Sequence, residues 1–267
     1  MFQRVLITGA GSGLGRALAQ RYAAAGAAVG CADLHLDRAQ ETVAALPGSG
    51  HVAWQVDVGD DASFAAFAEA ARAWGTPDLL VNNAGIAAGG TLLDSTMGEW
   101  RELLEVNLLS VVRGCKTFLP AMLDTGRGHV VNVASFAGLA GAPGIMSYGV
   151  AKGGVVILSE QLRAELHGSG VAVSVACPAF FQTNLLQNWR GSDQMRAAAG
   201  RLMQHSADTV DSVADAIVKA IGRGEFLILP TRDEPMRWRM KRWLPGVYFR
   251  QLLAMIEKRK RVARRAG

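Results

Sequence analysis

Short runs of apolar, largely β-branched residues recur at 5–8, 28–32, 52–56, 79–81, 129–133, 171–176 and 226–229. Several are apolar at every position rather than at alternate ones, the pattern of strands covered on both faces. Between them, apolar residues return every three or four positions over 14–25, 36–46, 62–73, 97–124, 147–167 and 209–221, which predicts amphipathic helices. Strand and helix therefore alternate. That rhythm predicts the α/β class: a doubly wound, Rossmann-type parallel sheet of about seven strands, with helices on both faces and right-handed crossovers. Residues 179–208 interrupt it, and a connection that long is expected to act as a lid over a site. The expected organisation is one domain over 1–231 with an extension over 232–267.

Composition changes this picture little. A chain of 267 residues, half of them hydrophobic, supplies the core of one large α/β domain. No leader-like segment opens it, and no run approaches the ~18 apolar residues of a spanning helix, so a cytoplasmic protein is expected. Cys31, Cys115 and Cys177 show neither CxxC spacing nor a neighbouring histidine cluster. Buried free thiols are expected, with no disulfide and no metal site.

Candidate chemistry begins directly after the first strand, in TGAGSGLG at 8–15. Glycines there permit a tight turn and close approach of backbone to a pyrophosphate, which the N-terminus of the next helix attracts. Gly9, Ser12, Gly13, Leu14 and Gly15 are the candidate phosphate-binding residues. The second strand ends at Asp33, 18 residues beyond Gly15. A carboxylate at that offset meets the ribose hydroxyls of NAD and repels the 2′-phosphate of NADP. A helix-capping role for Asp33 is the other reading, and His35 and Arg38 stand close enough to receive a phosphate. NAD is the expected cofactor and NADP the less favoured one. Asp57, with Val58 beside it, ends the third strand at the position of an adenine contact, or simply makes a turn. In SYGVAKGG at 147–154, Tyr148 and Lys152 lie four apart and share a helix face.

Five motifs, TGAGSGLG at 8–15, NNAG at 82–85, Asn107 in VNLLS, Ser135 in VVNVASFAG and YGVAK at 148–152, occur in one order on the predicted elements. In this the chain resembles the short-chain dehydrogenases/reductases in their single-domain form, over roughly residues 2–230. The resemblance implies hydride transfer between NAD(P) and a carbinol or carbonyl carbon. Tyr148 would be the general acid/base, with its pKa lowered by the nearby cation, and Lys152 would also hold the nicotinamide ribose. Ser135 would hold the substrate oxygen, and Asn107 would support a proton relay behind Lys152. It further implies that Asn83, Ala84 and Gly85 wall the cofactor site and that Pro178 and Thr183 contact the nicotinamide end. The chain departs from the family at CPAF, 177–180, where Ala179 replaces a glycine. A dimer or tetramer formed through the helices at 97–124 and 147–167 is also implied. A catalytically silent NAD-binding sensor or scaffold is the reading from another class.

Apolar residues dominate the lid and the loop after Ser135, and Phe136, Phe180, Phe181 and Leu185 are the candidate walls of a site for a hydrophobic alcohol or ketone. The two glycines after Lys152 imply a helix that backs closely onto cofactor or sheet. The extension, finally, holds 12 of the 28 basic residues and 3 of the 23 acidic ones, a net +9, which leaves −4 for the rest of the chain. No nucleic-acid motif accompanies that charge. Tyr248, Leu252 and Ile256 recur there at helical spacing, below Trp238 and Trp243. Such a stripe suits an anionic membrane surface, or packs on the chain itself or a partner copy.

Overall fold

The computed structural model describes residues 2–266, with side chains throughout except at Asn184 and over 258–266. Nine strands occur among them: β1 (Arg4–Thr8), β2 (Ala28–Asp33), β3 (Val52–Gln55), β4 (Leu79–Asn82), β5 (Ala88–Gly89), β6 (Gly128–Val133), β7 (Val171–Ala176), β8 (Arg190–Gly191) and β9 (Leu227–Ile228). Seven form a parallel sheet in the order β3, β2, β1, β4, β6, β7, β9, while β5 and β8 pair separately. The main helices are α1 (Gly13–Ala24), α2 (Leu36–Ala44), α3 (Asp61–Trp74), α4 (Met97–Leu104), α5 (Ser110–Asp124), α6 (Phe136–Ala140), α7 (Met146–Glu165), α8 (Asp193–Gln204), α9 (Val210–Gly222), α10 (Glu234–Trp243) and α11 (Pro245–Ala266). All seven expected strands are present in the sheet.

Side chains alternate across a strand, so a continuous apolar run feeds two cores. Val5 and Ile7 pack with Leu18, Val29 and Ile217 on one face, and Leu6 between them packs with Phe64, Phe67, Phe118 and Val155 on the other. Leu6, Ile7, Leu79 and Leu80 are wholly buried, each contributing roughly 1.5–3 kcal/mol relative to exposure. Strand order reverses between β1 and β4, and a crevice opens there at the carboxyl ends of the strands, the place where open α/β sheets take ligands.

The structure departs from the sequence-based expectations at several points. The helix expected over 97–124 is broken by a π-helical turn, Glu105–Leu109, between α4 and α5. Such single turns occur often at functional sites. Here the turn carries Asn107, and Arg113 pairs with Glu105 inside it while also donating to the Val58 carbonyl. The segment 179–208 is ordered as a 3₁₀ turn (Asn184–Asn188), then β8, then α8. In the extension, Tyr248, Leu252 and Ile256 are half-buried rather than free. The Tyr248 hydroxyl donates to the Ala140 carbonyl at 3.0 Å, and the Lys241 ammonium donates to the Leu139 carbonyl. Tyr248 and Lys241 therefore tie the extension to α6. No helix among the described residues is long and apolar enough to cross a membrane.

Candidate active site

One cavity of about 430 Å³ runs along the carboxyl ends of the strands. At one end lies the glycine loop. Gly9 and Gly13 have φ of +66° and +50°, conformations open to glycine and strained for other residues. A Cβ on Gly15 would collide with the Gly9 carbonyl, so α1 begins as close to the loop as backbone allows. Ser12, the N-cap of α1, makes no side-chain cap bond, and the first turn carries no acidic residue. The first N–H groups and the positive end of the helix dipole therefore face the cavity without an internal anion, as a pyrophosphate requires. A Cβ on Gly13 would lie 2.9 Å from Thr183 Oγ1, which brings the lid hydroxyl to the same helix end. The chain's own residues thus fit a dinucleotide.

Asp33 is held at the rim by two backbone donors. Its Oδ2 accepts from Gly11 N at 2.8 Å and its Oδ1 from His35 N at 3.1 Å. Leu34, His35, Arg38, Asp57 and Val58 line the same end. Behind the loop, Arg16 donates to the Gly11 carbonyl and to Thr42 Oγ1, a brace that sequence reasoning missed because an arginine in a helix's first turn carries no distinctive signal. NNAG does more than form a wall. Thr8 Oγ1 accepts from Asn83 N and Ala84 N, and Asn83 Nδ2 donates back to the Thr8 carbonyl at 2.9 Å, which locks the glycine loop to the end of β4.

The other end of the cavity holds Ser135, Tyr148, Lys152 and Asn107. Ser135 follows β6 and caps α6: its hydroxyl accepts from Ala137 N at 3.1 Å and donates to the Pro178 carbonyl at 3.3 Å. Pro178 O also accepts from Phe136 N. Where the family pattern has glycine, Ala179 N donates to Thr231 Oγ1, so the altered turn is anchored to the segment before α10. Lys152 is buried, and its ammonium donates to the Val133 carbonyl at 2.9 Å. Burial pushes its pKa down to about 8. Tyr148 is half-buried on the same helix. Burial pushes its pKa above 10, against a smaller opposing pull from a hydrogen bond with Ser135. The lowering expected from the lysine is not among the causes of this shift, in which desolvation dominates.

Asn107 is fully buried and fixed at both ends of its amide: Oδ1 accepts from Ile86 N and Nδ2 donates to the Ile86 carbonyl, each at 3.0 Å. Between Asn107 and Lys152 sits Gly85. A Cβ there would lie 2.6 Å from Asn107 Oδ1 and 3.3 Å from Lys152 Nζ, so glycine is what lets the two side chains converge. The glycines after Lys152 have different neighbours from those expected. A Cβ on Gly153 would approach the Gly138 carbonyl of α6, and one on Gly154 would meet Leu108 of the π turn. They admit close helix packing rather than cofactor or sheet.

Of the expected substrate walls, Phe181 and Leu185 line the cavity, with Ile86, Val106 and Ala179. Phe136 instead points into the core with Leu139 and Ala140. Phe180 is turned outward, 44% exposed. Gly15 is buried beneath the loop and does not line the cavity. Glu102 and Arg190, not foreseen, meet at the mouth: Arg190 donates from Nε and Nη2 to both oxygens of Glu102, at 2.8–3.1 Å, tying β8 of the lid to α4. Only the fold brings residues 88 positions apart together.

The family model for short chain dehydrogenases matches residues 3–194. The chain is 35% identical to "Probable oxidoreductase EphD" of Mycobacterium tuberculosis over 81% of its own length, and spans 39% of that longer protein. It is 37% identical to "Meso-2,3-butanediol dehydrogenase" of Serratia marcescens, over 74% of this chain and 80% of that one. Among solved structures, a short chain dehydrogenase/reductase of Burkholderia phymatum in complex with NAD superposes with a TM-score of 0.83 at 32% identity, over 90% of this chain and 92% of the other. A short-chain dehydrogenase of Sphingobium yanoikuyae in complex with NADPH gives 0.76 at 28%, over 95% of both chains.

Proposed function

This chain belongs to the short-chain dehydrogenase/reductase family, and from that premise we propose that it is an oxidoreductase interconverting a hydrophobic alcohol and its ketone, with NAD as cofactor. The observation that carries the reading is the convergence of Ser135, Tyr148, Lys152 and Asn107 on the cavity that also holds the glycine loop. The nicotinamide ring, when bound, supplies or accepts the hydride. The chain's residues handle the oxygen and its proton. Ser135 orients the substrate oxygen, and Tyr148 gives the proton to that oxygen in reduction or takes it in oxidation. Lys152, with Asn107 behind it, supplies the neighbouring positive charge and the route by which the Tyr148 proton is replaced. The walls formed by Ile86, Val106, Phe181 and Leu185 favour an apolar group on the reacting carbon.

Asp33 carries the cofactor preference. Two backbone N–H groups fix its carboxylate at the rim, where it accepts from ribose hydroxyls and repels a 2′-phosphate. Asp33→Ala is expected to shift the kcat/KM ratio of NADP to NAD by at least ~10-fold, since Arg38 at the same rim then faces the phosphate unopposed. An unchanged ratio would mean that Asp33 serves only the turn. The substrate class is tested by a panel of hydrophobic alcohols and ketones, followed by absorbance of the reduced nicotinamide. A homo-oligomer fits the exposed Leu109, Leu123, Val150 and Ile157 along the π turn, α5 and α7.

A further inference from the structure

The apolar arc of α11 is wider than the surface that covers it. Tyr248, Leu252 and Ile256 pack toward the body, but Phe249 and Leu253, four apart and one step round the helix, are 58% and 43% exposed. Trp243 and Leu244, at the turn between α10 and α11, are 77% and 56% exposed. Arg239, Arg242 and Arg250 stand exposed among them, within an extension of net charge +9.

We propose that this rim docks on the surface of an anionic lipid bilayer, with Trp243, Leu244, Phe249 and Leu253 entering the headgroup boundary and the arginines meeting lipid phosphates. Aromatic and aliphatic side chains bordered by arginine are what such an interface binds. Charge decides the occupant. A second copy related by a two-fold axis sets +9 against +9, whereas an anionic surface neutralises it. The docking face is not the stripe legible in the sequence, which is half-buried and tied to α6 at Tyr248, but the row beside it. It also lies close to the site. Lys241 and Tyr248 bond the Leu139 and Ala140 carbonyls of α6, the helix that Ser135 caps. A docked molecule thus holds the wall of the catalytic cavity one short helix from the lipid phase in which a hydrophobic alcohol or ketone concentrates. That last consequence rests on the proposed substrate class, while the docking does not.

The test is co-sedimentation of the full chain with vesicles, either phosphatidylcholine alone or equal parts phosphatidylcholine and phosphatidylglycerol. Pelleting is expected with the anionic vesicles, weakened by high salt, and reduced at least ~10-fold in the double variant Trp243→Ser, Phe249→Ser. That variant is expected to turn over a water-soluble substrate normally, which shows that it folds. Equal pelleting with both vesicle types, or by variant and parent, overturns the proposal. So does a parent that ignores vesicles but loses its oligomeric state in the variant, an outcome that assigns the rim to a second copy. Because pelleting needs no turnover, failure here is distinct from failure of the oxidoreductase reading.

Discussion

Replacing Tyr148 by phenylalanine is expected to lower turnover ~10²–10⁴-fold, the range contributed by a positioned proton donor, while cofactor affinity stays within a few-fold. The ring and its half-buried seat on α7 survive the change, so only the proton is removed. Fluorescence titration with reduced cofactor, paired with steady-state rates in both directions, separates the two effects. Near-normal turnover would sink the proton-transfer role. The direction of the pKa shift adds a pH signature. Burial holds the Tyr148 hydroxyl above 10, so near neutral pH it is protonated and ready to donate. Ketone reduction is therefore expected to run at full rate from neutral pH downward. Alcohol oxidation needs the proton gone and is expected to climb as pH rises, and an oxidation rate flat from neutral to alkaline pH would contradict the assignment.

Lys152→Met should abolish turnover to a similar degree and yet leave a more stable protein at neutral pH. Burial holds the ammonium of Lys152 at a pKa of about 8, below its ordinary 10.5. A depression of that size corresponds to roughly 3 kcal/mol disfavouring the charged form in the folded state. The unfolded chain binds the extra proton between the two values, so the penalty is complete below pH 8 and disappears as pH rises toward 10.5. The gain in unfolding free energy from Lys152→Met is accordingly expected at pH 7 and should shrink at pH 10. Denaturant titrations at the two pH values measure it. A variant less stable than the parent at both would show that the bond to the Val133 carbonyl outweighs desolvation. Function here retains a charge that folding would discard.

The sheet was legible because its strands are apolar on both faces, and Val5, Leu6 and Ile7 announce two cores in three residues. The glycine loop and the spacing of Tyr148 and Lys152 were legible because each is local. What was not legible depends on contacts between distant segments. The apolar period of 97–124 runs unbroken through residues 105–109, and one extra residue in a turn leaves hardly any trace in it. The bonds from Asn107 to Ile86 appear only once β4 and the π turn are adjacent. Adjacency to Ser135 places Phe136 in the substrate wall on sequence grounds, but a residue in the first turn of α6 faces the core. The helix of the tail is legible in its apolar spacing, but its anchorage is not: Tyr248 and, on α10, Lys241 bond carbonyls of α6 more than a hundred positions away.

The three cysteines have a practical consequence. Cys31, Cys115 and Cys177 are all buried, and burial pushes each thiol up to about 12, so no thiolate is presented to solvent near neutral pH. Maleimides and mild oxidants should leave the native enzyme untouched, and it should keep its activity without added reductant. The surface is thus blank to thiol chemistry. A single cysteine introduced at an exposed position such as Trp243 would be the one site to label, and an environment-sensitive dye placed there would report in real time on what the rim meets.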